Sequence, residues 1–251
     1  MAAFHESIPA NSHLEAQAPV WRYMSFPKFA SMLARSQIFM ARADRFEDLF
    51  EGAISVETFS HYLEFLEEDF KLRDKYALRK GPRDRDADRE LIQNWLVRGR
   101  TMTYLSCWYV GSSESDAMWR VYGETRESVA IRSNVGRLLQ TLPDGVFLVP
   151  VSYTPPSDVR LQSQHRLWQF AFKRLEFAYE SELRCIKFDS SEQRPTDGHQ
   201  ITVDLSQLVE RVVVSPRAPK WFADAVIEVV SRFGLSFDVS QSSMAGGPWQ
   251  F

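Results

Sequence analysis

In Tyr179-Glu180-Ser181-Glu182-Leu183-Arg184, two carboxylates and a guanidinium recur at every second residue. Read as a β-strand, the segment places all three charges on one face, with Tyr179 and Leu183 on the other. A fold that accepts such a strand must pair the carboxylates with cations, hold one of them for chemistry, or leave that face in water. A bare charged face suits only an exposed sheet. A buried or half-buried pair instead has its protonation uncoupled, which suits general acid–base work or stabilisation of a cationic transition state.

The rest of the chain supplies both a sheet and helices to cover it. Residues 101–110 are dense in β-branched and aromatic side chains and read as a central strand. Further strands are expected at 21–24, 38–41, 128–132, 146–153, 209–214 and 235–239. Ser25 as a cap and Pro27 in the first turn predict a helix whose Phe29, Met32 and Leu33 share one face. Ser113 and Asp116 have capping-box spacing ahead of a short helix carrying Met118, Trp119 and Tyr122. Helices are also expected at 134–142, 158–177 and 219–233. The charged stretch 56–98 reads as two helices divided at Gly81-Pro82, with Phe59, Tyr62, Leu63 and Leu66 as a narrow apolar stripe.

Strands and helices alternate without a regular βαβ rhythm, which predicts an α+β fold with a split, mostly antiparallel sheet and flanking helices. The expected organisation is a disordered tail over 1–18, a single α+β domain over 19–240 with a helical insertion at about 55–98, and a frayed C-terminus over 241–251.

Charge and composition exclude little. Thirty basic against thirty-three acidic side chains give a net charge of −3, so nothing global calls for nucleic acid or an anionic membrane. No apolar run approaches the roughly 20 residues that span a bilayer, and residues 1–19 lack a basic start and hydrophobic centre, so a cytoplasmic protein is expected. Cys107 and Cys185 lie far apart in strand-like sequence and read as small buried hydrophobes. The five histidines show no metal-binding spacing, and no metal site is expected.

Four places carry candidate chemistry. Arg22 lies on a strand between Trp21 and Tyr23, and either pairs with a structural carboxylate or clamps a phosphate or carboxylate ligand. Asp44, Asp48 and Glu51 stand at near-helical spacing and either hold a divalent cation or pair with Arg42 and Arg45. Trp119 and Tyr122 share a helical face ending in Gly123, either as core or as a platform for a planar ring. Glu180 and Glu182 complete the set, laced to Arg184, Lys173 or Arg174, or held for catalysis.

Taken in order, these places resemble the bacterial family known as domain of unknown function 2971. The likeness is carried by Trp21-Arg22-Tyr23, by Arg45-Phe46-Glu47-Asp48-Leu49-Phe50-Glu51-Gly52, and by Cys107-Trp108 with Met118-Trp119-Arg120-Val121-Tyr122-Gly123. Val129-Ala130-Ile131, Lys173 and Glu180-Ser181-Glu182-Leu183-Arg184 extend it. That family usually has Asn and Pro where this chain has Glu47 and Leu49. More remotely, the order of elements is similar to that of ADP-ribosyltransferases of the DNA-modifying toxin type.

The remote resemblance implies a reaction on NAD and a place in bacterial conflict or anti-phage defence, with a nucleic acid or a protein as acceptor. It implies that Arg22 holds the NAD phosphates or ribose and that Tyr122 stacks on nicotinamide. Tyr23, Trp119 and Arg184 belong with them in the cofactor-binding set. Glu182 is implied as the catalytic glutamate, with Glu180 orienting or deprotonating the acceptor and Arg184 keeping a carboxylate ionised. Two other readings stand beside it: a non-catalytic module that binds a nucleotide or partner, and a metal-dependent nuclease with Asp48 joining the glutamates.

Overall fold

A computed structural model describes residues 2–4, 14–48, 50–53, 55–75, 85–123, 125–155, 158 and 167–246. A short strand β1 (Ala3–Phe4) is followed by β2 (Pro19–Ser25), α1 (Phe26–Arg35) and β3 (Gln37–Arg42). Phe29, Met32 and Leu33 are the buried face of α1, as their spacing predicts; Ser25 sits at its N-cap position, although its hydroxyl caps nothing. Two charged helices, α2 (Val56–Lys75) and α3 (Arg85–Met102), lead into the long strand β4 (Thr103–Val110). The predicted break at Gly81-Pro82 lies outside the described residues.

Then come α4 (Asp116–Tyr122), β5 (Ser128–Asn134), α5 (Val135–Thr141), β6 (Val146–Pro150) and β7 (Ser152–Tyr153). Ser115, one turn ahead of Met118, caps α4 in place of the expected Ser113. A 3-10 turn (Trp168–Phe170), β8 (Phe172–Lys173) and a second 3-10 turn (Leu175–Glu180) precede β9 (Glu182–Phe188). The chain continues through β10 (Gly198–Thr202), α6 (Leu205–Leu208), β11 (Arg211–Val214), α7 (Lys220–Arg232) and β12 (Asp238–Gln241).

Ten strands form one sheet in the order β1-β6-β9-β4-β2-β5-β11-β12, with β3 joined to β4 and β10. Within it, among the described residues, only β1 with β6 and β11 with β12 run parallel, so this sheet is mostly antiparallel and the fold is α+β; β7 and β8 form a separate parallel pair. Its split has a definite place. The end of β4 pairs with β2 through Val110 and Tyr109, and its beginning pairs with β3 through Leu105 and Tyr104. Ser106, Cys107 and Trp108 therefore face a gap where β2 and β3 diverge around α1.

Side-chain alternation sorts the two faces. Leu183 and Cys185 of β9 join the large core beneath α1, α5 and α7, together with Phe29, Leu138, Trp108 and Phe222. Ile186 points the other way, into a smaller core with Leu105, Val149 and Phe170. Glu182 and Arg184 share the parity of Ile186.

Three expectations change. Ala3 and Phe4 pair with Phe147 and Leu148, and Ala2 is buried, so residues 2–4 belong to the sheet and not to a loose tail. Likewise Gln241 completes β12 and Ser243–Ala245 form a 3-10 turn whose Ser243 backbone donates to Glu114, so residues 241–246 are not frayed. The third concerns the long helix expected at 158–177. Among its described residues the chain makes two 3-10 turns around a strand, because the carbonyls a helix would use are taken elsewhere. Phe170 O accepts from Arg184, Ala171 O from Ser152 and Lys173 O from Thr154.

Candidate functional site

Glu180 is not on the strand that its spacing to Glu182 suggests. It ends the second 3-10 turn, and Ser181 then takes a left-handed conformation at φ 40°, a conformation that costs a non-glycine residue strain. The bend is held by Val110, whose N–H donates to Ser181 O. It swings Glu180 towards Lys173 and Tyr122 while Glu182 begins β9.

These side chains form one buried ion network. Lys173 Nζ donates to Glu180 and, at 3.0 Å, to Glu182 Oε1. Arg184 Nε donates to Glu182 Oε2 at 2.6 Å, and its two terminal nitrogens grip Glu51 in a bidentate pair at 2.6 and 2.9 Å. Tyr122 donates its hydroxyl to Glu180 Oε1 at 3.0 Å. Tyr153 accepts from the Glu182 backbone N–H, fixing the start of β9. Glu180, Glu182 and Arg184 are 3%, 4% and 0% exposed, so none of these charges relies on water for compensation.

Three carboxylates against two cations leave one negative charge too many. Burial, with Glu182 close by, pushes Glu180 up to about 7, against the pull of Lys173. Burial also acts on Glu182, but Arg184 and Lys173 outweigh it and hold that carboxyl well below its usual range. The network thus favours a proton on Glu180 over one on Glu182.

A stability consequence follows from the raised group. An acid whose folded-state pKa lies above its unfolded value contributes stability that is complete below about pH 4.5 and is lost as pH rises through about 7. Replacing Glu180 by Gln removes that dependence. Urea titrations at pH 5 and pH 8 are expected to show wild type losing ground to Glu180→Gln as pH rises; a constant difference would mean that Glu180 is not raised.

The acidic loop contributes differently from its expected pairings. Asp44 does pair with Arg42, at 2.6 Å. Asp48 reaches Arg174 at 3.2 Å and Glu51 reaches Arg184, so neither uses Arg45. Gly52 lets the loop close: its φ is 64°, and a Cβ there would lie 2.2 Å from the Phe170 ring. Gly52→Ala is expected to destabilise the fold by about 2–3 kcal/mol, combining backbone strain with a clash, as read by chemical denaturation.

Beside the network lies a cavity of about 610 Å³ whose lining includes Arg22, Tyr23, Trp108, Tyr122 and Glu182. It occupies the gap between β2 and β3. Arg22 has the parity of Val20 and Met24 and stands on the α1 side, while Glu182 enters from the opposite face, so the cavity runs through the split in the sheet. Arg22 donates to Phe39 O at 2.7 Å and lies 5.9 Å from the Trp108 ring centre. No carboxylate among the described residues pairs with it, contrary to the structural reading of an isolated strand arginine.

Of the other expected members, Tyr23 lines the cavity while Trp119 and Arg184 stand apart from it. Trp119 is buried, packs edge-on against Tyr23 at 4.8 Å and donates to Glu114, so it is core rather than half of an aromatic platform. Tyr23 holds α4 through its hydroxyl, which accepts from Ser115 N. Arg184 sits behind Glu182 and cannot reach a ligand in the cavity. Cys107 is half-buried and does line it, but burial, with Glu182 adding, raises its thiol well above the ordinary value. Burial likewise pushes Cys185 up to about 12.

Sequence reasoning did not place Tyr153 or Trp108 in the site, and it expected Glu51 to hold a cation or pair with Arg42 or Arg45, not with Arg184. Their partners lie up to 133 residues away, as for Glu51 and Arg184, and no local spacing announces such pairs. The nuclease reading needs Asp48 beside the two glutamates; Asp48 is instead tied to Arg174, and no group of three metal-ligating side chains occurs among the described residues. No helix among them is long and apolar enough to cross a membrane.

The molecule is thus an α+β protein with a through-sheet cavity bounded by an arginine that has no carboxylate partner among the described residues and by a buried carboxylate–cation network. No family model matches the chain, and no curated protein matches it. Among solved structures it is similar to DarT of Thermus sp. 2.9 in complex with ADP-ribosylated ssDNA, at a TM-score of 0.43 and 10% identity over 92% of this chain and 97% of that one. It is also similar to DarT of Thermus sp. 2.9 in complex with carba-NAD+, at a TM-score of 0.39 and 9% identity over 92% and 98%.

Proposed function

We propose that this chain is an NAD-dependent ADP-ribosyltransferase-like enzyme of bacterial conflict or defence, acting on a nucleic-acid or protein acceptor. One observation carries the reading: an arginine with no acidic partner among the described residues and a carboxylate held ionised border the same cavity from opposite faces of the sheet. The volume of about 610 Å³ suits a ligand larger than a single ring. A dinucleotide laid through the gap would set its diphosphate on Arg22, which offers charge-assisted donors to phosphate. Its nicotinamide riboside would then lie against Tyr122 and Glu182.

The chemistry follows from the two glutamates. As the bond between ribose and nicotinamide breaks, its electron pair leaves with neutral nicotinamide and positive charge develops on the ribose. Glu182 can accept a hydrogen bond from a ribose hydroxyl and stabilise that charge, since an ionised carboxylate keeps free lone pairs beyond those given to Lys173 and Arg184. The acceptor's nucleophile attacks the same carbon, and its proton passes to Glu180, whose pKa near 7 suits a general base. Arg184 is a positioning residue that keeps Glu182 charged.

The test is incubation with NAD together with mixed nucleic acids and lysate, following nicotinamide release, adduct mass and the NAD-induced shift in Tm. NAD is expected to raise Tm. Arg22→Ala should weaken NAD binding by about 10- to 100-fold, the range for losing a hydrogen bond to a charged group. A thermal shift without turnover identifies the non-catalytic binding module instead. Neither shift nor turnover removes the NAD reading altogether.

A further inference from the structure

The through-sheet cavity is electrically lopsided. Among the described residues that line it, the charged ones are Arg22 and Lys28, both on the α1 side, and Glu182, which enters from the opposite face. Lys173 and Arg184, the cations paired with Glu182, do not line it. A ligand threaded through the split therefore meets positive groups at one end and a carboxylate at the other.

The surroundings of the carboxylate narrow the ligand further. Tyr109 stands directly across from Glu182 in the pairing of β4 with β9, so the two side chains are neighbours on one face, with Cβ atoms roughly 5 Å apart. Tyr109 and Tyr122 are half-buried, line the cavity, and are the outer rings of a cluster built on Tyr23, Met118 and Trp119. Tyr109 is also held in place: its ring meets Tyr23 edge-on at 6.3 Å, and a Cβ on Gly111 would come within 2.5 Å of it. Tyrosine rings beside an ionised carboxylate attract a cation far better than a neutral ring of the same shape, and more so where water is excluded.

We propose that the Glu182 end of the cavity is a subsite for a cationic aromatic ring, with Tyr109 as a specificity-determining residue. For its occupant the inference rests on the NAD reading: the pyridinium of oxidised NAD is positively charged, whereas the dihydropyridine of the reduced form is neutral. The subsite then separates two redox states of one dinucleotide by charge, although their outlines are nearly the same.

The experiment is calorimetric titration of the full-length protein with 1-methylnicotinamide and with 3-methylbenzamide, which has the same outline but carbon in place of the charged nitrogen. The cation is expected to bind at least about 10-fold more tightly, and Tyr109→Leu to cut that preference by about 5-fold, within the range of cation–π contacts. Tyr109→Phe keeps the ring and should keep the preference, which separates loss of the ring from loss of structure. Equal binding of the two fragments, no binding of the cation, or an unchanged preference in Tyr109→Leu overturns the proposal. NAD and its reduced form are the second pair, with NAD expected to bind more tightly; equal binding of the two also overturns it. If the fragments behave as expected and neither dinucleotide binds, the subsite stands and the NAD reading falls. If NAD binds and the fragments show no preference, the subsite falls and the NAD reading stands.

Discussion

Arg184→Met is expected to cost about 3–5 kcal/mol of folding stability, the range for removing one partner from a buried ion pair. Its guanidinium is wholly buried and donates to Glu182, to both oxygens of Glu51 and to Phe170 O. Methionine fills much of the same space but leaves the Glu51 carboxylate with no cation among the described residues. Glu182 retains only Lys173. The loss should appear in urea denaturation as a lower midpoint with an unchanged slope. Adding Glu51→Gln removes the stranded charge, so the double variant should be more stable than Arg184→Met alone and the two changes strongly non-additive. A loss below about 1 kcal/mol would contradict this account, because so small an effect is typical of exposed pairs.

The same residues show what a sequence can and cannot reveal. Strands β2, β4 and β5 and helix α1 were legible because each carries its own period of apolar residues: Phe29, Met32 and Leu33 on a helical face, and Val129, Ala130 and Ile131 buried in the sheet. Strand β10 was not. Gly-His-Gln-Ile-Thr has one buried apolar residue, and it pairs with β3 through backbone bonds that any residue can make, with Gly198 needed because a Cβ would strike the Phe39 ring. The stretch before Glu180 misled for a related reason, since its helical pattern was overruled by carbonyl partners distant in the chain. For the site, the charge alternation in 180–184 singled out side chains that meet in the ion network but not their arrangement. Arg184 turned out to be support rather than lining, and Glu180 joins through a bend at Ser181 instead of a shared strand face. Spacing records which side chains are neighbours along one element; Lys173 was among the partners expected for the glutamates and does pair with both, but nothing announced Glu51 arriving at Arg184.

Glu182→Gln is expected to reduce nicotinamide release from NAD by about 100- to 1,000-fold, the usual effect of removing one electrostatic stabiliser of a transition state. NAD binding should change far less, because the developing ribose charge exists only in the transition state. The substitution is nearly isosteric but not electrostatically neutral. One of the two cations now fixed on Glu182, Lys173 or Arg184, must face an amide NH₂ instead of an oxygen. Stability and the NAD-induced Tm shift therefore have to be measured on the same sample, so that lost chemistry is not confused with lost structure. Glu180→Gln gives the contrasting result. With Glu182 intact, nicotinamide release to water should persist while transfer to the acceptor falls, and the rise in transfer rate across about pH 7 should disappear. The division of labour is tested by that split. If Glu182→Gln keeps release within about 10-fold of wild type, or if Glu180→Gln loses release and transfer in equal measure, the assignment of the two carboxylates fails.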